Sequence, residues 1–172
     1  MLPASETARL SLRRRTIADF EACLAMDRDP EVVKYIPGPW DDATKHEAFL
    51  RERIQADFGD GLGYWSIYSR DAERRFLGWI LLIPYDGTGP KVEIGWRLNR
   101  SAWGRGYGTE AALPFVSYAF EDIGLPEIVA DIDIRNVASH RIAEKIGMQH
   151  VGDIVHDSIP MKSYALTRYD WR

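Results

Sequence analysis

The apolar positions along the chain switch between a period of two and a period near 3.6, which predicts alternating strands and helices. Between Gly63 and Leu98, three strand-like runs are separated by polar, turn-rich segments, which is typical of an antiparallel meander. Thr16 and Asn136 each precede a helical pattern and are suited to cap it. The predicted strands are Arg9–Arg13, Gly63–Ser69, Phe76–Pro84, Val92–Leu98, Ile128–Ile134, Gln149–Val155 and Lys162–Thr167, and the predicted helices are Ile17–Met26, Asp42–Phe58, Thr109–Ile123 and Val137–Ile146.

The order of these elements is β-αα-βββ-α-β-α-ββ. It predicts an α/β fold with a mixed sheet and helices on its faces. The 172 residues fit one domain, and no repeat, low-complexity tract or linker divides them. We therefore expect a single domain over residues 1–172, with a core from about residue 8 to residue 169.

The composition narrows the class of partner. A net charge of −4 argues against a general affinity for nucleic acid or for an anionic membrane, which requires a basic excess. The single cysteine, Cys23, lies in an apolar helical stretch, and no Cys/His cluster predicts a metal site. We expect a cytoplasmic protein, a monomer or homodimer, without a targeting segment or a membrane span.

A glycine-rich segment, Gly104–Glu110 (GRGYGTE), lies directly between a predicted strand and a predicted helix. A helix start exposes unpaired amide N–H groups and a partial positive charge, and glycines let the backbone approach a phosphate closely. The segment therefore predicts a diphosphate site, although such glycines can also serve only to turn the chain. A P-loop would need Gly-Lys-Ser/Thr here, and a dinucleotide fold would place the glycines in an early βαβ unit, so both nucleotide interpretations weaken.

Three segments together resemble the GNAT (general N-acetyltransferase) superfamily, and within it the branch of ribosomal-protein N-terminal acetyltransferases. They are Glu93–Leu98 (EIGWRL), Trp103–Ala111 (WGRGYGTEA) and Asn136–Met148, with Ser139 and the run EKIGM inside it. Leu10–Arg13 and Ala165–Trp171 also look like that branch, so the resemblance covers nearly the whole chain. It implies a GNAT fold whose central strands splay to hold acetyl-CoA. It also implies direct acetyl transfer to a primary amine in a ternary complex.

The resemblance further implies how acetyl-CoA is bound. The pyrophosphate is expected against the amides of Arg105, Gly106, Gly108 and Thr109, and the pantetheine arm along Ile94, Gly95, Trp96 and Asn136. The Arg105 guanidinium either adds a contact to phosphate or is a solvated charge. Trp103 replaces the Gln or Arg that is commoner in the superfamily, which removes one donor.

Glu93 is the candidate general base. Alternation puts Glu93, Gly95 and Arg97 on one strand face, opposite Ile94 and Trp96, and Gly95 would let the strand bulge or open. A carboxylate near the cleft can take the proton of the amine, directly or through water. The alternative is an acid on a partly solvated sheet face.

The resemblance assigns proton donation to the leaving thiolate to Ser139, because Ala143 stands where many members have a Tyr. Ser139 can also be only a capping hydroxyl, and Tyr164 is a fallback acid.

The acceptor side is walled in this family by the early helices and the last hairpin. Tyr35, Trp40 and Glu93 are the substrate-binding candidates, although the aromatic pair can equally be core residues. The acceptor is a peptide N-terminus or a small molecule such as a polyamine, an amino acid or an antibiotic amine. A non-catalytic acyl-CoA-binding module and a nucleotide-binding protein are the alternative functions.

Overall fold

The computed structural model describes residues 3–171. Within that range, eight strands form one mixed sheet in the order β1-β2-β3-β4-β5-β6-β8-β7. The strands are β1 (Ser5–Glu6), β2 (Leu10–Arg14), β3 (Gly63–Ser69), β4 (Phe76–Pro84), β5 (Val92–Leu98), β6 (Glu127–Asp133), β7 (Gln149–His156) and β8 (Ile159–Thr167). The helices are α1 (Phe20–Asp27), α2 (Ala43–Gln55), α3 (Tyr107–Ser117) and α4 (Val137–Lys145). The predicted α/β architecture and element order are confirmed, with β1 as an added short strand.

Several boundaries differ from the predictions for local reasons. Helix α3 begins at Tyr107 rather than Thr109, because Gly106 is its N-cap with a φ of 79°. It ends at Ser117, where a π-helical turn over Tyr118–Asp122 follows. Strand β8 begins at Ile159 rather than Lys162, since the hairpin before it closes on two residues with positive φ, Asp157 and Ser158.

Apolar side chains on the two faces of the sheet form two separate clusters. Ile80, Leu82 and Ile94 belong to the cluster packed against α3. Leu81 and Ile83, which alternate with them, belong to the cluster packed against α1 and α2. Because Ile94 faces α3, its neighbour Glu93 faces α1 and α2, as the alternation predicts. No helix among residues 3–171 has the length and apolar character needed to cross a membrane.

A buried ion pair joins β5 to the end of α1. Arg97 Nη1 donates to Asp27 Oδ1 at 2.8 Å, and the two side chains are only 10% and 3% exposed. The guanidinium also lies 5.2 Å from the ring centroid of Trp40 and 4.8 Å from that of Trp79. His46 Nε2 lies 3.6 Å from the other Asp27 oxygen. The charges therefore tie β5, α1, α2 and the segment containing Trp40 together.

We expect Arg97→Met to destabilise the protein by about 3 kcal/mol or more, because it leaves the Asp27 carboxylate buried without its partner. Urea denaturation monitored by tryptophan fluorescence measures this loss. Arg75→Met is the matched control, since Arg75 pairs with Asp71 on the surface and its loss should barely move the midpoint. Equal midpoints for the two variants would contradict a structural role for the buried pair.

Candidate active site

Strands β5 and β6 pair in parallel through only two residue pairs, Val92 with Ile128 and Glu93 with Val129. Beyond them each strand continues with its outer neighbour. β5 stays paired with β4 as far as Leu98, and β6 stays paired with β8 as far as Asp133. The two strands therefore part in the middle of the sheet, which leaves one edge of β5 without a strand partner.

A cavity of about 220 Å³, which we call the inner cavity, lies in this gap. Ile94, Gly95 and Trp96 line it from β5. The opposite wall comes from β6 and the start of α4. Besides Trp79 and Leu81 of β4 and Met161 of β8, the segment before α2 contributes to the lining. The residues from β6, from the start of α4 and from that segment are Ala130, Asp131, Ile132, Asp133, Asn136, Ser139, Tyr35, Ile36 and Pro37. The gap therefore brings together most of the residues expected to hold a pantetheine arm.

Of the two alternatives expected at Gly95, a bulge or an opening of the strand, the bulge is absent. The register between β4 and β5 runs without a shift from Val92 to Leu98. A Cβ at Gly95 would lie 3.1 Å from the side chain of Leu81, its cross-strand partner. The glycine therefore makes room for Leu81, and the strand opens by parting from β6.

The start of α3 has the geometry of an anion site. The first helical bond is donated by the Glu110 amide to the Gly106 carbonyl at 3.0 Å, so the amides of Tyr107, Gly108 and Thr109 precede it. Gly104 and Gly106 have φ values of 71° and 79°. A Cβ at Gly108 would stand 2.5 Å from Ile142 Cδ1, so a larger residue would displace the Ile142 side chain where α3 packs on α4.

Two of the side chains around the start of α3 make hydrogen bonds within the protein, and a third is exposed to solvent. Glu110 turns away from the amides and accepts hydrogen bonds from Thr7 Oγ1 at 2.6 Å and Arg9 Nε at 2.6 Å. The Trp103 indole donates to the Leu98 carbonyl at 3.1 Å and thereby closes the end of β5. Arg105 is exposed. Trp103 therefore donates to the backbone of β5, at a position where the superfamily more often has a Gln or Arg that can donate to phosphate.

Asn136 and Ser139 are linked to β5 and to each other. The Asn136 side chain caps α4 by accepting from the Ser139 amide at 3.3 Å. The Trp96 indole donates to Ser139 Oγ at 3.2 Å. That bond uses the oxygen of Ser139 as acceptor and leaves its hydroxyl proton free to be donated into the inner cavity. The fallback acid, Tyr164, is 2% exposed and places its hydroxyl 2.9 Å from His140 Nδ1, outside the cavity lining.

A larger cavity of about 590 Å³, the outer cavity, lies on the α2 side and shares Glu93, Asp131 and Met161 with the inner cavity. Its remaining walls come from the end of α2, the turn after β4 and the β7–β8 hairpin. The charged and titratable residues that line it are Arg53, Asp57, Tyr85, Asp86, Glu93, Asp131 and His156. Glu93 therefore lies at the junction of the two cavities, where a molecule bound in the outer cavity can contact one bound in the inner cavity.

Burial is the main reason that the pKa of Glu93 rises to about 7. The positive charge of Arg53 lowers it, and the negative charges of Asp131 and Asp86 raise it. A carboxyl group with a pKa near neutrality is suited to accept a proton and to release it again. Cys23 is the opposite case, since burial raises the pKa of its thiol to about 12 and keeps it protonated in the core.

The two aromatic substrate candidates are placed differently. Tyr35 lines the inner cavity, and the Arg135 guanidinium lies 5.2 Å from its ring centroid. Trp40 does not line either cavity. Its ring packs against His46 and its indole donates to the Ile36 carbonyl at 2.7 Å, so it supports the wall from behind.

Sequence reasoning missed Asp131. It accepts hydrogen bonds from the Tyr85 hydroxyl at 2.5 Å and from Ser163 Oγ at 2.6 Å. This contact is the main reason that the pKa of Tyr85 rises to about 12. The available signal was the pair Asp131 and Asp133, two acids spaced by two in an otherwise apolar strand.

Residues 9–149 match the family model described as "Acetyltransferase (GNAT) domain". The FsC-acetyl coenzyme A-N(2)-transacetylase of Aspergillus fumigatus is 32% identical over 188 residues, which cover 98% of this chain and 78% of that protein. The uncharacterized N-acetyltransferase YnaD of Bacillus subtilis is 32% identical over 146 residues, covering 85% and 82%. The chain therefore belongs to the GNAT family and is an acetyl-CoA-dependent N-acetyltransferase.

Solved structures agree on the fold. A GNAT-family acetyltransferase from Bacillus anthracis superposes with a TM-score of 0.81 at 27% identity, covering 97% of this chain and 99% of that one. The spermidine N-acetyltransferase of Vibrio cholerae, in complex with CoA and spermine, superposes with a TM-score of 0.76 at 15% identity, covering 96% and 99%. The parted strands and the glycine-bounded start of α3 fit coenzyme A by their shape and by their free amides.

We expect Glu93→Gln to be more stable than the parent protein at pH 8 and equally stable at pH 4. The folded pKa of Glu93, about 7, lies above the ordinary value of 4.5, so the folded state loses stability as the pH rises from about 4.5 to 7, and the loss is complete above pH 7. The gain at pH 8 should be about 1 kcal/mol or more, since one pKa unit corresponds to about 1.4 kcal/mol. Urea denaturation at both pH values measures it. A stability difference that is the same at pH 4 and pH 8 would argue against a perturbed carboxyl.

Proposed function

We propose that this enzyme acetylates a small cationic primary amine that enters through the outer cavity. One observation carries the proposal: four carboxylates and one guanidinium line a cavity that meets the inner cavity at Glu93. An ammonium ion is favoured where negative charge exceeds positive charge and water is partly excluded. In agreement, this fold holds CoA and spermine in the Vibrio cholerae enzyme.

Glu93 acts as the general base in this proposal. Acetyl-CoA supplies the acetyl group as a thioester. A primary ammonium must lose one proton before its nitrogen can attack a carbonyl carbon, and the Glu93 carboxylate takes that proton. The C–N bond forms as the C–S bond breaks. The nitrogen loses its second proton as the amide forms, and the departing thiolate takes up one proton, so the step balances without a covalent enzyme intermediate. The position of Glu93, at the junction of the two cavities and with a pKa of about 7, supports this role.

Ser139 donates a proton or a hydrogen bond to the departing thiolate. Its oxygen is already occupied by the Trp96 indole, which orients the hydroxyl and leaves the O–H as a donor. Asn136 fixes the same residue from the backbone side. Arg105, Gly106, Gly108 and Thr109 hold the pyrophosphate, and Ile94 and Trp96 present β5 backbone groups to the pantetheine arm, as the parted strand edge supports.

An acceptor screen tests the proposal by following thiol release from acetyl-CoA. We expect 1,4-diaminobutane to react with a kcat/KM about ten-fold or more above that of glutamate, because the acidic side chains of the outer cavity repel the two carboxylates of glutamate. Peptides with Ala and Ser N-termini form the second arm. Peptides that outperform the diamine would replace the small-amine proposal with a protein acceptor. The absence of thiol release above hydrolysis with every amine would indicate a non-catalytic acyl-CoA-binding module.

We expect Glu93→Gln to lower kcat by about 100-fold, the scale of general base catalysis, with little change in the KM for acetyl-CoA. Since Glu93 accepts a proton only when ionised, parent activity should rise through pH 7, and the variant should lose that limb. Loss of a proton from the acceptor ammonium adds a separate rise in activity at higher pH, in the parent and in the variant. Glu144→Gln, on the exposed side of α4, is the matched control. Unchanged turnover of the Glu93 variant between pH 6 and pH 9 would exclude Glu93 as the base.

A further inference from the structure

Asp131 lies across the strand gap from Glu93 and points to the same side of the sheet. Glu93 pairs with Val129, and Asp131 follows two residues later on β6, so the alternation of the strand puts the two carboxylates on one face. Asp131 also lines both the inner and the outer cavity. An amine that reaches Glu93 from the outer cavity therefore comes close to Asp131.

Two hydroxyls hold the Asp131 carboxylate in a defined orientation. The Tyr85 hydroxyl, from the turn after β4, donates to Oδ2 at 2.5 Å, and Ser163 Oγ, from β8, donates to Oδ1 at 2.6 Å. Each donor occupies one acceptor site of its oxygen, and a carboxylate has about four such sites. Among residues 3–171, no cationic side chain lies within 4.0 Å of this carboxylate to form an ion pair. Asp131 is therefore oriented and still has acceptor capacity.

We propose that Asp131 is the residue that binds the ammonium group of the acceptor and positions it beside Glu93. The inference rests on the proposed acetylation of a cationic amine. A primary ammonium has three N–H groups, so it can donate one to Asp131 and one to Glu93 at the same time. Asp131 stays a hydrogen-bond acceptor throughout, while Glu93 takes the proton. Primary and secondary ammonium ions can make both contacts, whereas a tertiary ammonium, with a single N–H donor, cannot.

The charges around Glu93 provide a way to distinguish the proposed role of Asp131 from a purely structural one, because they affect the pKa of Glu93. Arg53 faces Glu93 from α2, Asp86 from the turn after β4 and Asp131 from β6. Asp57 and His156 line the same cavity from the segment after α2 and from β7. Removal of the Asp131 charge should lower the pKa of Glu93, because that negative charge disfavours ionisation of Glu93.

The test compares Asp131→Asn with Glu93→Gln, using 1,4-diaminobutane and acetyl-CoA. We expect Asp131→Asn to raise the KM for the diamine by about ten-fold or more, the loss typical of a hydrogen bond to a charged group. The KM for acetyl-CoA should stay within about two-fold, and the rising limb of kcat/KM should move to lower pH. Glu93→Gln should lower kcat instead. Asp153→Asn, on the exposed face of β7, is the matched control for loss of one acidic charge.

Asp57→Asn removes one charge from the outer cavity without touching Tyr85 or Ser163, and it should raise the KM for the diamine far less than Asp131→Asn does. Equal effects would show that the summed charge of the cavity acts, and that would overturn a specific role for Asp131. An unchanged KM and an unchanged pH profile in Asp131→Asn would overturn it too.

If Asp131→Asn does not fold, Ser163→Ala, which removes one of the two donors, should give a smaller rise in the same KM, and no rise would contradict the proposal. Failure of the parent enzyme to release thiol with any amine would instead contradict the proposed function.

Discussion

The parting of β5 and β6 after two residue pairs is the constraint on which the rest of the site depends. A buried strand edge must have its N–H and C=O groups satisfied, and β5 lacks a neighbour on one side from Ile94 onward. The gap persists because both faces of β5 are anchored. Arg97 is tied to Asp27 on the side of α1, and Trp96 is tied to Ser139 on the side of α4. Coenzyme A can then supply the missing backbone partners, which explains why the same strand both opens and binds.

The opening also determines the electrostatics. Glu93 is the last β5 residue paired with β6, so it is buried by the closed part of the sheet and faces the open part. Burial raises its pKa towards neutrality, while Asp131, across the gap, receives two hydroxyl hydrogen bonds. Two carboxylates on one face in different environments are a common arrangement for separate roles in catalysis. One can exchange a proton while the other holds a cation.

The parts of this molecule that could be predicted from the sequence are those that depend on residues close together in the chain. The limits of β3, β4 and β5 follow from their apolar runs and the turns between them, and the glycines before α3 place its start within two residues. The hydrogen bonds that orient Asp131 could not be predicted, because its donors Tyr85 and Ser163 lie 46 and 32 residues away in the chain. The place of Trp40 likewise depends on packing against α2, which no local pattern describes. The resemblance to ribosomal-protein acetyltransferases stays a prediction about the acceptor.

The difference between local and long-range constraints also explains why the acetyl-CoA site can be predicted from the sequence and the acceptor site cannot. In the proposed arrangement acetyl-CoA meets β5, the start of α3 and the start of α4, whose residues are constrained by the core or by close helix packing, as at Gly108. The outer cavity is walled by ends and turns, with Asp57 after α2, Asp86 after β4 and His156 at the hairpin. None of these three belongs to either apolar cluster. Substitution there changes the charge that an acceptor meets at little cost in core packing, so one fold can keep its donor site while its acceptor changes.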